Sequence, residues 1–94
     1  MRFEWDPRKA KRNLTKHSVS FEEATTVFLD PLSATGDDPD HSAEENRFIT
    51  VGSSSSGRLL AVSHTDRRDS IRIISARRST KEEREVYEER QIRT

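Results

Sequence analysis

The fold of this chain is decided by two runs in its second half, Arg58-Leu-Leu-Ala-Val-Ser-His-Thr65 and Ser70-Ile-Arg-Ile-Ile-Ser-Ala-Arg-Arg78. Both runs are rich in Leu, Val and Ile, which favour β-strands, and the segment Asp66-Arg-Arg-Asp69 between them suits a tight turn. The sequence therefore predicts a β-hairpin. With Arg67 and Arg68 at the centre of a two-residue turn, residue 64 pairs with 71, 62 with 73 and 60 with 75.

The predicted register separates the arginines of the returning strand. Side chains alternate between the two faces of a strand, so Arg77 shares a face with His64 and Ile73, whereas Arg72 and Arg78 lie on the other face. Either face could be the core. Arg72 and Arg77 can join one site only where the strand contains a bulge or ends early.

The N-terminal residues predict a strand followed by a helix. Residues 2–5 alternate polar and aromatic side chains, which is typical of a short edge strand. Asp6-Pro7 starts a helix, with an acceptor at the N-cap and proline at the first helical position. This helix runs to about His17, and Ala10 and Leu14 form its narrow apolar stripe.

The rest of the chain predicts a second helix, two further strands and a C-terminal helix. Ser20-Phe-Glu-Glu23 fits a capping box at the start of the second helix. Residues 32–35 and 46–52 are predicted as strands. Ser79 or Thr80 caps a last helix that ends near Arg90, and Ser79-Thr-Lys-Glu82 fits a capping box. The element order β-α-α-β-β-β-β-α predicts an α+β domain with an antiparallel sheet of about four strands.

The composition limits the class of protein. A chain of 94 residues makes a single domain, residues 1–94, and with 30% hydrophobic and 36% charged residues its core must be thin. A partner that covers apolar surface is therefore expected. The absence of cysteine excludes disulfides and thiolate chemistry. No apolar run approaches the roughly 20 residues that cross a bilayer, and the N-terminus lacks the apolar core of a signal peptide, so a cytoplasmic location is expected.

The zero net charge conceals a strong pattern. Residues 1–20 carry six bases and two acids, residues 21–46 carry eight acids and no Lys or Arg, and residues 47–94 carry eleven bases and seven acids. The balances are therefore +4, −8 and +4. Thirteen of the seventeen basic residues are Arg, the residue best suited to two-pronged phosphate contacts. A phosphate-binding patch thus stands beside the simpler interpretation as ordinary surface charge.

The hairpin concentrates these arginines. Arg67 and Arg68 lie at its tip, and Arg72, Arg77 and Arg78 follow along the returning strand. Arginines on an exposed strand can simply extend over apolar neighbours. They can also form a row of guanidinium groups for phosphate oxygens and for the charge that builds on phosphorus during transfer. The hairpin by itself leaves both interpretations open.

The histidines and the acidic segment bear on catalysis and metal binding. His17, His41 and His64 have no metal-ligand spacing to one another, so a structural zinc site is not expected. His17 ends the first helix, where its cation complements the helix dipole, and it can also act as a general acid or base. The acidic segment lacks calcium-loop spacing, which favours a solvated loop over a divalent-metal site. Its acids are Asp37, Asp38, Asp40, Glu44 and Glu45. No metal or other cofactor is expected.

Seven stretches, in one order over residues 3 to 90, carry a further signal. They are Phe3-Glu-Trp-Asp-Pro7, Asn13-Leu-Thr-Lys-His17, Val19-Ser-Phe-Glu-Glu-Ala24, Phe28-Leu-Asp-Pro31, Glu44-Glu-Asn-Arg47, Thr65-Asp-Arg67 and Ile71-Arg-Ile-Ile-Ser-Ala-Arg77. Together they resemble the BrnT family, the toxins of a bacterial type II toxin–antitoxin system. The serine linker at 53–56 and the tail after residue 89 carry no family signal.

The resemblance implies a fold, an activity and partners. BrnT proteins are similar in fold to the RelE-like ribonuclease toxins, with two N-terminal helices, an antiparallel sheet and a C-terminal helix. They cut RNA, arrest growth and are neutralised by BrnA, a ribbon-helix-helix antitoxin that also binds operator DNA. The implied partners are an RNA substrate, a BrnA-like antitoxin and, through the antitoxin alone, operator DNA.

The resemblance also implies site residues. The residues expected in the active site are His17, Arg67, Arg72 and Arg77. The residues expected to bind RNA are Lys16, Arg47, His64 and Arg68. Glu44 and Arg47 also match the family pattern, with a catalytic role and an ion pair between neighbouring strands both open. Lys16, His64 and Tyr87 are lesser candidates.

These expectations give one hypothesis and two alternatives. The hypothesis is a metal-independent endoribonuclease in which His17 exchanges protons while the arginines of the active site clamp the phosphate and stabilise the phosphorane. The first alternative is a non-catalytic module that acts as corepressor with the antitoxin on operator DNA. The second is a stand-alone nucleic-acid-binding domain, which the acidic residues 21–46 oppose.

Overall fold

The structure is a computed structural model that describes residues 1–38 and 46–93. Within these residues the chain forms five strands and three α-helices in the predicted order β-α-α-β-β-β-β-α. The strands are β1 (Arg2–Glu4), β2 (Ala34–Asp37), β3 (Arg47–Ser53), β4 (Leu59–Asp66) and β5 (Ser70–Arg78). The helices are α1 (Pro7–His17), α2 (Phe21–Thr26), which continues as a 3-10 turn over Val27–Leu29, and α3 (Lys81–Arg93).

The strands form one mixed sheet in the order β1-β5-β4-β3-β2. The α+β class is confirmed, but the expected sheet of about four antiparallel strands is wrong in two respects. The sheet has five strands among the described residues, and β1 runs parallel to β5 with Phe3 opposite Ile71. β1 joins the sheet because this pairing places Phe3 and Ile71 together against the core, so its apolar side chains are covered.

The central hairpin has a different register from the predicted one. The backbone N of Arg67 donates to the carbonyl of Ser70 at 2.8 Å, so the two turn residues are Arg68 and Asp69. Residue 66 therefore pairs with 71 and residue 64 with 73, and the register then shifts at Ser63/His64, so that 63 pairs with 75. The shift is a bulge in β5, which adds one residue to that strand and reverses its alternation.

The bulge brings Arg72 and Arg77 to the same face of the sheet. Thr65 opposes Arg72 and Ala61 opposes Arg77, and residues 61 and 65 share a face because their separation along β4 is even. Arg47 lies opposite Thr65 from the other side and therefore points the same way. We call the side of the sheet that carries Arg47, Arg72 and Arg77 the arginine face.

The core lies on the opposite side of the sheet, beneath α1 and α2. Its buried apolar residues are Val19, Phe21, Ala24, Val27, Leu60, Val62, Ile73 and Ala76. Two aromatic contacts close its margin: the rings of Phe3 and Phe28 lie 5.3 Å apart, and Trp5 meets Phe21 edge-on at 5.9 Å. The aromatic residues on either side of Glu4 thus fix the backbone of β1.

α1 docks on the sheet through a polar residue. Leu14, expected in the apolar stripe, is 53% exposed, whereas Asn13 is buried. The Asn13 amide donates to the carbonyl of Ala76 at 2.8 Å and accepts from the Ala76 backbone N at 3.1 Å. It also donates to the carbonyl of Val19 at 2.9 Å. Asn13 therefore supplies hydrogen-bond partners to the backbone of Ala76, at the edge of β5 beyond the three residues that pair with β1.

The helix caps follow the predicted chemistry with one displacement. Asp6 accepts from the backbone N of Arg8, and Ser20 accepts from that of Glu23. The capping box expected at Ser79 forms one residue later, where Thr80 and Glu83 each accept from the other's backbone N, at 3.2 and 2.8 Å. The displacement arises because the backbone N of Ser79 donates to Leu59 and so extends the sheet.

α3 lies over part of the arginine face and is held there mainly by polar contacts. The hydroxyl of Tyr87 donates to Asp30, and the guanidinium of Arg90 donates to the carbonyl of Leu32 at 3.2 Å. Val86 and Ile92 remain 58% and 85% exposed. Neither α3 nor any other helix in the described part of the chain is long and apolar enough to cross a membrane.

Candidate functional site

One row of side chains crosses four strands of the arginine face. Arg47, Thr65, Arg72 and Glu4 are successive Cα partners on β3, β4, β5 and β1. Partners on neighbouring strands point to the same side and lie roughly 5 Å apart, so the row spans roughly 15 Å. Thr65 is 6% exposed, and its hydroxyl has no hydrogen-bond partner among the described residues.

Glu4 lies between two arginines at the end of this row. Its Oε1 is 3.6 Å from Nε of Arg67 and 3.8 Å from Nη1 of Arg72. Neither distance is a hydrogen bond. The side chains of Glu4, Arg67 and Arg72 are 42%, 56% and 36% exposed, so water screens these attractions strongly. The two guanidinium groups and the carboxylate therefore stay accessible to a ligand.

Arg77 is engaged differently, although it lies on the same face. Its Nη1 and Nη2 donate to the two carboxylate oxygens of Glu83 at 2.9 and 3.0 Å, and Nη1 also donates to the carbonyl of Arg78. The hydrogen bonds that Arg77 donates to Glu83 raise the pKa of Arg77, and the same bonds lower the pKa of Glu83. Arg77 stands five residues from Arg72, roughly 15 Å along the strand, so the two do not form one cluster.

A second basic surface lies where α1 meets the bulge of β5. A groove of about 260 Å³ is lined by Lys9, Arg12, Asn13, Lys16, His17, Ile74 and Ser75. α1 carries five Lys or Arg residues and no acid. His17 is half-buried at its end, before Ser18, whose left-handed backbone with φ of 58° terminates the helix. The groove therefore brings the imidazole of His17 together with the cationic side chains of Lys9, Arg12 and Lys16.

The groove and the arginine row are neighbours on β5. Ser75 borders the groove and lies three residues beyond Arg72, which corresponds to roughly 10 Å along a strand. Lys9 and Arg12 were not among the predicted site residues. Their spacing with Lys16, at i, i+3 and i+7, places all three on one side of α1 and is the signal that could have identified them.

His64 lies in the protein interior. It is 2% exposed, its Nε2 lies 2.8 Å from the Thr50 hydroxyl, and its Nδ1 lies 2.9 Å from Oδ1 of Asp66. The ring of Phe28 meets it edge-on at 5.0 Å. Burial lowers the pKa of His64, while the neighbouring Asp66 acts in the opposite direction. A side chain so enclosed cannot reach RNA without local opening, so the RNA contact predicted here does not fit the structure.

The other predicted site residues divide into two groups. Arg67, Arg68 and Lys16 are exposed, and Arg47 is half-buried on the arginine face. Glu44 and His41, with most of the acidic segment, lie outside the described residues. Tyr87 is buried and its hydroxyl donates to Asp30, and burial first and then this contact raise its pKa to about 12, which suits a structural role. Within 1–38 and 46–93, no group of three His, Asp or Glu side chains could hold a metal ion.

The fold matches that of a solved ribonuclease toxin. The crystal structure of the Brucella abortus ribonuclease toxin BrnT, at 1.1 Å resolution, matches this chain with a TM-score of 0.68 at 18% identity. The match covers 86% of this chain and 99% of that one. The fold and its basic sheet thus place the chain in the class of small α+β folds to which that toxin belongs.

The family itself follows from the sequence match. Residues 5–83 match the family model described as "Ribonuclease toxin, BrnT, of type II toxin-antitoxin system". The chain belongs to the BrnT family, and the resemblance found in the sequence is confirmed. No curated protein sequence matches it.

Proposed function

We propose that this chain is the toxin of a type II toxin–antitoxin pair and acts as a metal-independent endoribonuclease that arrests growth by cutting RNA. The observation that carries the proposal is the accessible cluster of Arg67, Arg72 and Glu4 beside a basic groove that contains His17. Binding of single-stranded RNA needs cations along its backbone, and its cleavage needs hydrogen-bond donors directed at the scissile phosphate. The two adjoining surfaces offer both.

The residues take separate roles in this proposal. Arg67 and Arg72 bind the non-bridging oxygens of the scissile phosphate and stabilise the charge of the phosphorane. His17 exchanges protons with the reacting oxygens. Lys9, Arg12 and Lys16 bind the phosphates that follow along the groove. Arg47, at the other end of the row, and Arg68, at the tip of the hairpin, make further contacts with RNA.

Arg77 receives a structural role, which differs from the one expected from the sequence. Both terminal nitrogens of its guanidinium group already donate to Glu83. Arg77 must therefore lose two charge-assisted hydrogen bonds before these nitrogens can bind phosphate. We therefore assign Arg77 to holding α3 on the sheet. Arg67 and Arg72, whose contacts to Glu4 are longer than hydrogen bonds, remain the phosphate ligands.

The proposal includes the cellular setting of the family. We propose that the fold is related to that of the RelE-like toxins and that the protein acts in the cytoplasm. We also propose that a BrnA-like ribbon-helix-helix antitoxin neutralises it, and that it contacts operator DNA only through that antitoxin. Membership of a type II toxin–antitoxin family supports the existence of an antitoxin. Exposed apolar residues such as Val86 and Ile92 agree with the expectation that a partner covers part of the surface.

The test is RNA cleavage by the purified chain, freed of antitoxin, in the presence of EDTA. We expect cleavage of a synthetic RNA, with products that end in a 2′,3′-cyclic phosphate and a 5′-hydroxyl. The same oligonucleotide made as DNA is the control and should stay intact, because it lacks the attacking 2′-hydroxyl. Intact RNA under these conditions would overturn the proposal.

One observation favours the non-catalytic alternative. An apolar cleft of about 370 Å³ lies between α3 and the outer strands, lined by Ala34, Thr35, Gly36, Ile49, Val51, Glu82, Glu83, Val86 and Tyr87. Such a cleft suits a protein partner better than RNA. If growth arrest is lost on Val86→Asp and retained by Arg72→Ala, the chain acts by binding a partner and the ribonuclease proposal fails.

A further inference from the structure

Glu4 differs from two other carboxylates that face an arginine in the described part of the chain, Glu23 and Glu83. Glu23 accepts from Arg58, Ser54 and Ser56, and Glu83 accepts from both prongs of Arg77. These two carboxylates are built into ion pairs. Glu4 approaches two arginines, yet it makes no hydrogen bond with either and remains 42% exposed.

The backbone holds Glu4 firmly even though its side chain is accessible. Phe3 and Trp5 on either side pack against Phe28 and Phe21, on the core side of the sheet. β1 is paired with β5 through three successive residues, with Glu4 directly opposite Arg72. Strand alternation then directs the Glu4 side chain to the arginine face. An accessible carboxylate on a fixed backbone, beside two phosphate ligands, has the placement that proton transfer requires.

We propose that Glu4 is the general base that accepts the proton of the attacking 2′-hydroxyl. This inference rests on the proposed ribonuclease function. The attacking 2′-hydroxyl belongs to the ribose whose 3′-oxygen carries the scissile phosphate, so a base next to the phosphate ligands is within reach of its proton. Arg67 and Arg72 hold the non-bridging oxygens while Glu4 removes that proton.

Glu4 and His17 account for both proton transfers of this step. The 2′-oxygen forms a bond to phosphorus, the bond from phosphorus to the 5′-oxygen breaks, and no electrons are exchanged with a cofactor. Glu4 gains the proton of the 2′-hydroxyl, and His17 gives a proton to the leaving 5′-oxygen. The products are a 2′,3′-cyclic phosphate and a 5′-hydroxyl. Exchange with water returns both side chains to their starting forms.

A second role for Glu4 makes the opposite prediction. If the carboxylate only neutralised the two arginines, its removal would free them, and RNA would bind more tightly and be cut at least as fast. If Glu4 is the base, its removal leaves phosphate binding intact and abolishes the proton transfer. General acid–base catalysis contributes on the order of 100-fold or more to a rate, so the two roles are well separated in an assay.

The experiment compares wild-type protein with Glu4→Gln, Glu4→Asp and the control Glu22→Gln, an exposed glutamate of α2. Turnover is measured on RNA, and affinity is measured on the same oligonucleotide with 2′-deoxy sugars at the scissile position. We expect Glu4→Gln to lose roughly 100-fold or more in kcat with affinity unchanged or higher. Glu4→Asp should retain part of the activity, and Glu22→Gln should match wild type.

Chemical rescue provides the second measurement. Formate added to Glu4→Ala should restore part of the cleavage, because it supplies a carboxylate in the vacated space, whereas a purely structural loss would not respond. The inference is overturned if Glu4→Gln cuts RNA at the wild-type rate or faster, or if weaker binding accounts for its entire loss. Both outcomes leave the ribonuclease function standing, while a wild-type protein that cuts no RNA removes the function and this inference together.

Discussion

Arg77 on β5 grips both carboxylate oxygens of Glu83 on α3, at 2.9 and 3.0 Å. The same carboxylate accepts from the backbone N of Thr80 at 2.8 Å and so caps the helix that Arg77 holds. Glu83 thus has two structural roles: it caps the start of α3, and it attaches α3 to the sheet. This relationship decides which arginine of the returning strand is free for a phosphate and which is not.

Arg77→Ala should therefore act on stability. The side chains of the pair are 38% and 23% exposed, so solvent screening reduces its contribution to about 1 kcal/mol. Urea unfolding should show this loss for Arg77→Ala and for Glu83→Gln, while Arg84→Ala on the exposed side of α3 should change little. An Arg77→Ala protein with full stability and a hundredfold loss of RNA cleavage would return Arg77 to the role of phosphate ligand.

Asn13→Ala should be among the more damaging substitutions in α1. It removes three hydrogen bonds and leaves buried polar groups of Ala76 and Val19 without partners, which costs about 2–3 kcal/mol in unfolding free energy. Leu14→Ala on the same helix is the matched control, and because Leu14 is 53% exposed we expect a change of about 0.5 kcal/mol or less. A reversed order in thermal or urea unfolding would contradict the docking of α1 described above.

Stability should fall in acid through Glu23. The hydrogen bond from Arg58, together with those from Ser54 and Ser56, lowers the pKa of Glu23 from 4.5 to about 2. Its folded-state pKa is depressed, so its contribution is complete above pH 4.5 and disappears as the pH falls toward 2. Glu23→Gln should lower stability by about 1–3 kcal/mol at neutral pH and flatten the decline in that window.

The control for this prediction is Glu22→Gln, on the exposed side of the same helix. It should leave both the stability at neutral pH and the acid decline unchanged. Urea unfolding measured from pH 7 to pH 2 resolves the two variants. A Glu23→Gln protein that retains the wild-type decline between pH 4.5 and 2 would show that other groups produce it.

The groove beside α1 should determine how RNA binding depends on salt. Each phosphate contact that is lost reduces the slope of log affinity against log salt by about 0.7 for a single strand. Lys9→Gln, Arg12→Gln and Lys16→Gln should each weaken binding of an uncleavable RNA and reduce that slope. Lys81→Gln, at the exposed start of α3, is the control. Identical salt slopes for wild type and the three groove variants would exclude the groove as an RNA path.

The order and class of the elements were predictable because local patterns carry them. Runs rich in β-branched and other apolar residues predict β3, β4 and β5. Asp6-Pro7 predicts the start of α1, and Ser20 predicts the start of α2. Register was not predictable in the same way. The bulge in β5 lies next to Ala76, whose backbone is bound by Asn13 from 63 residues away in the sequence. A contact of that range leaves no local pattern, so strict alternation placed Arg77 on the wrong face.

The residues of the candidate site could be predicted from the sequence only in part, for similar reasons. Arg67 and Arg72 could be named from composition and family resemblance, and they lie together in the structure. The family resemblance predicts His64 as an RNA-binding residue, but its place in a run of core residues buries it. Glu4 cannot be identified from the sequence because a polar residue in an edge strand resembles ordinary surface, and its position beside Arg72 follows only from the pairing of β1 with β5.

The central claim is that this protein cleaves RNA without metal and that the accessible guanidinium groups of Arg67 and Arg72 stabilise the reacting phosphate. The most direct measurement is the single-turnover cleavage rate of a synthetic RNA in EDTA, by purified wild-type protein, Arg72→Ala and the control Arg84→Ala. We expect wild type and Arg84→Ala to cut equally, and Arg72→Ala to be slower by roughly 100-fold or more with its fold intact. Undiminished cleavage by Arg72→Ala, or intact RNA with wild-type protein, would contradict the account.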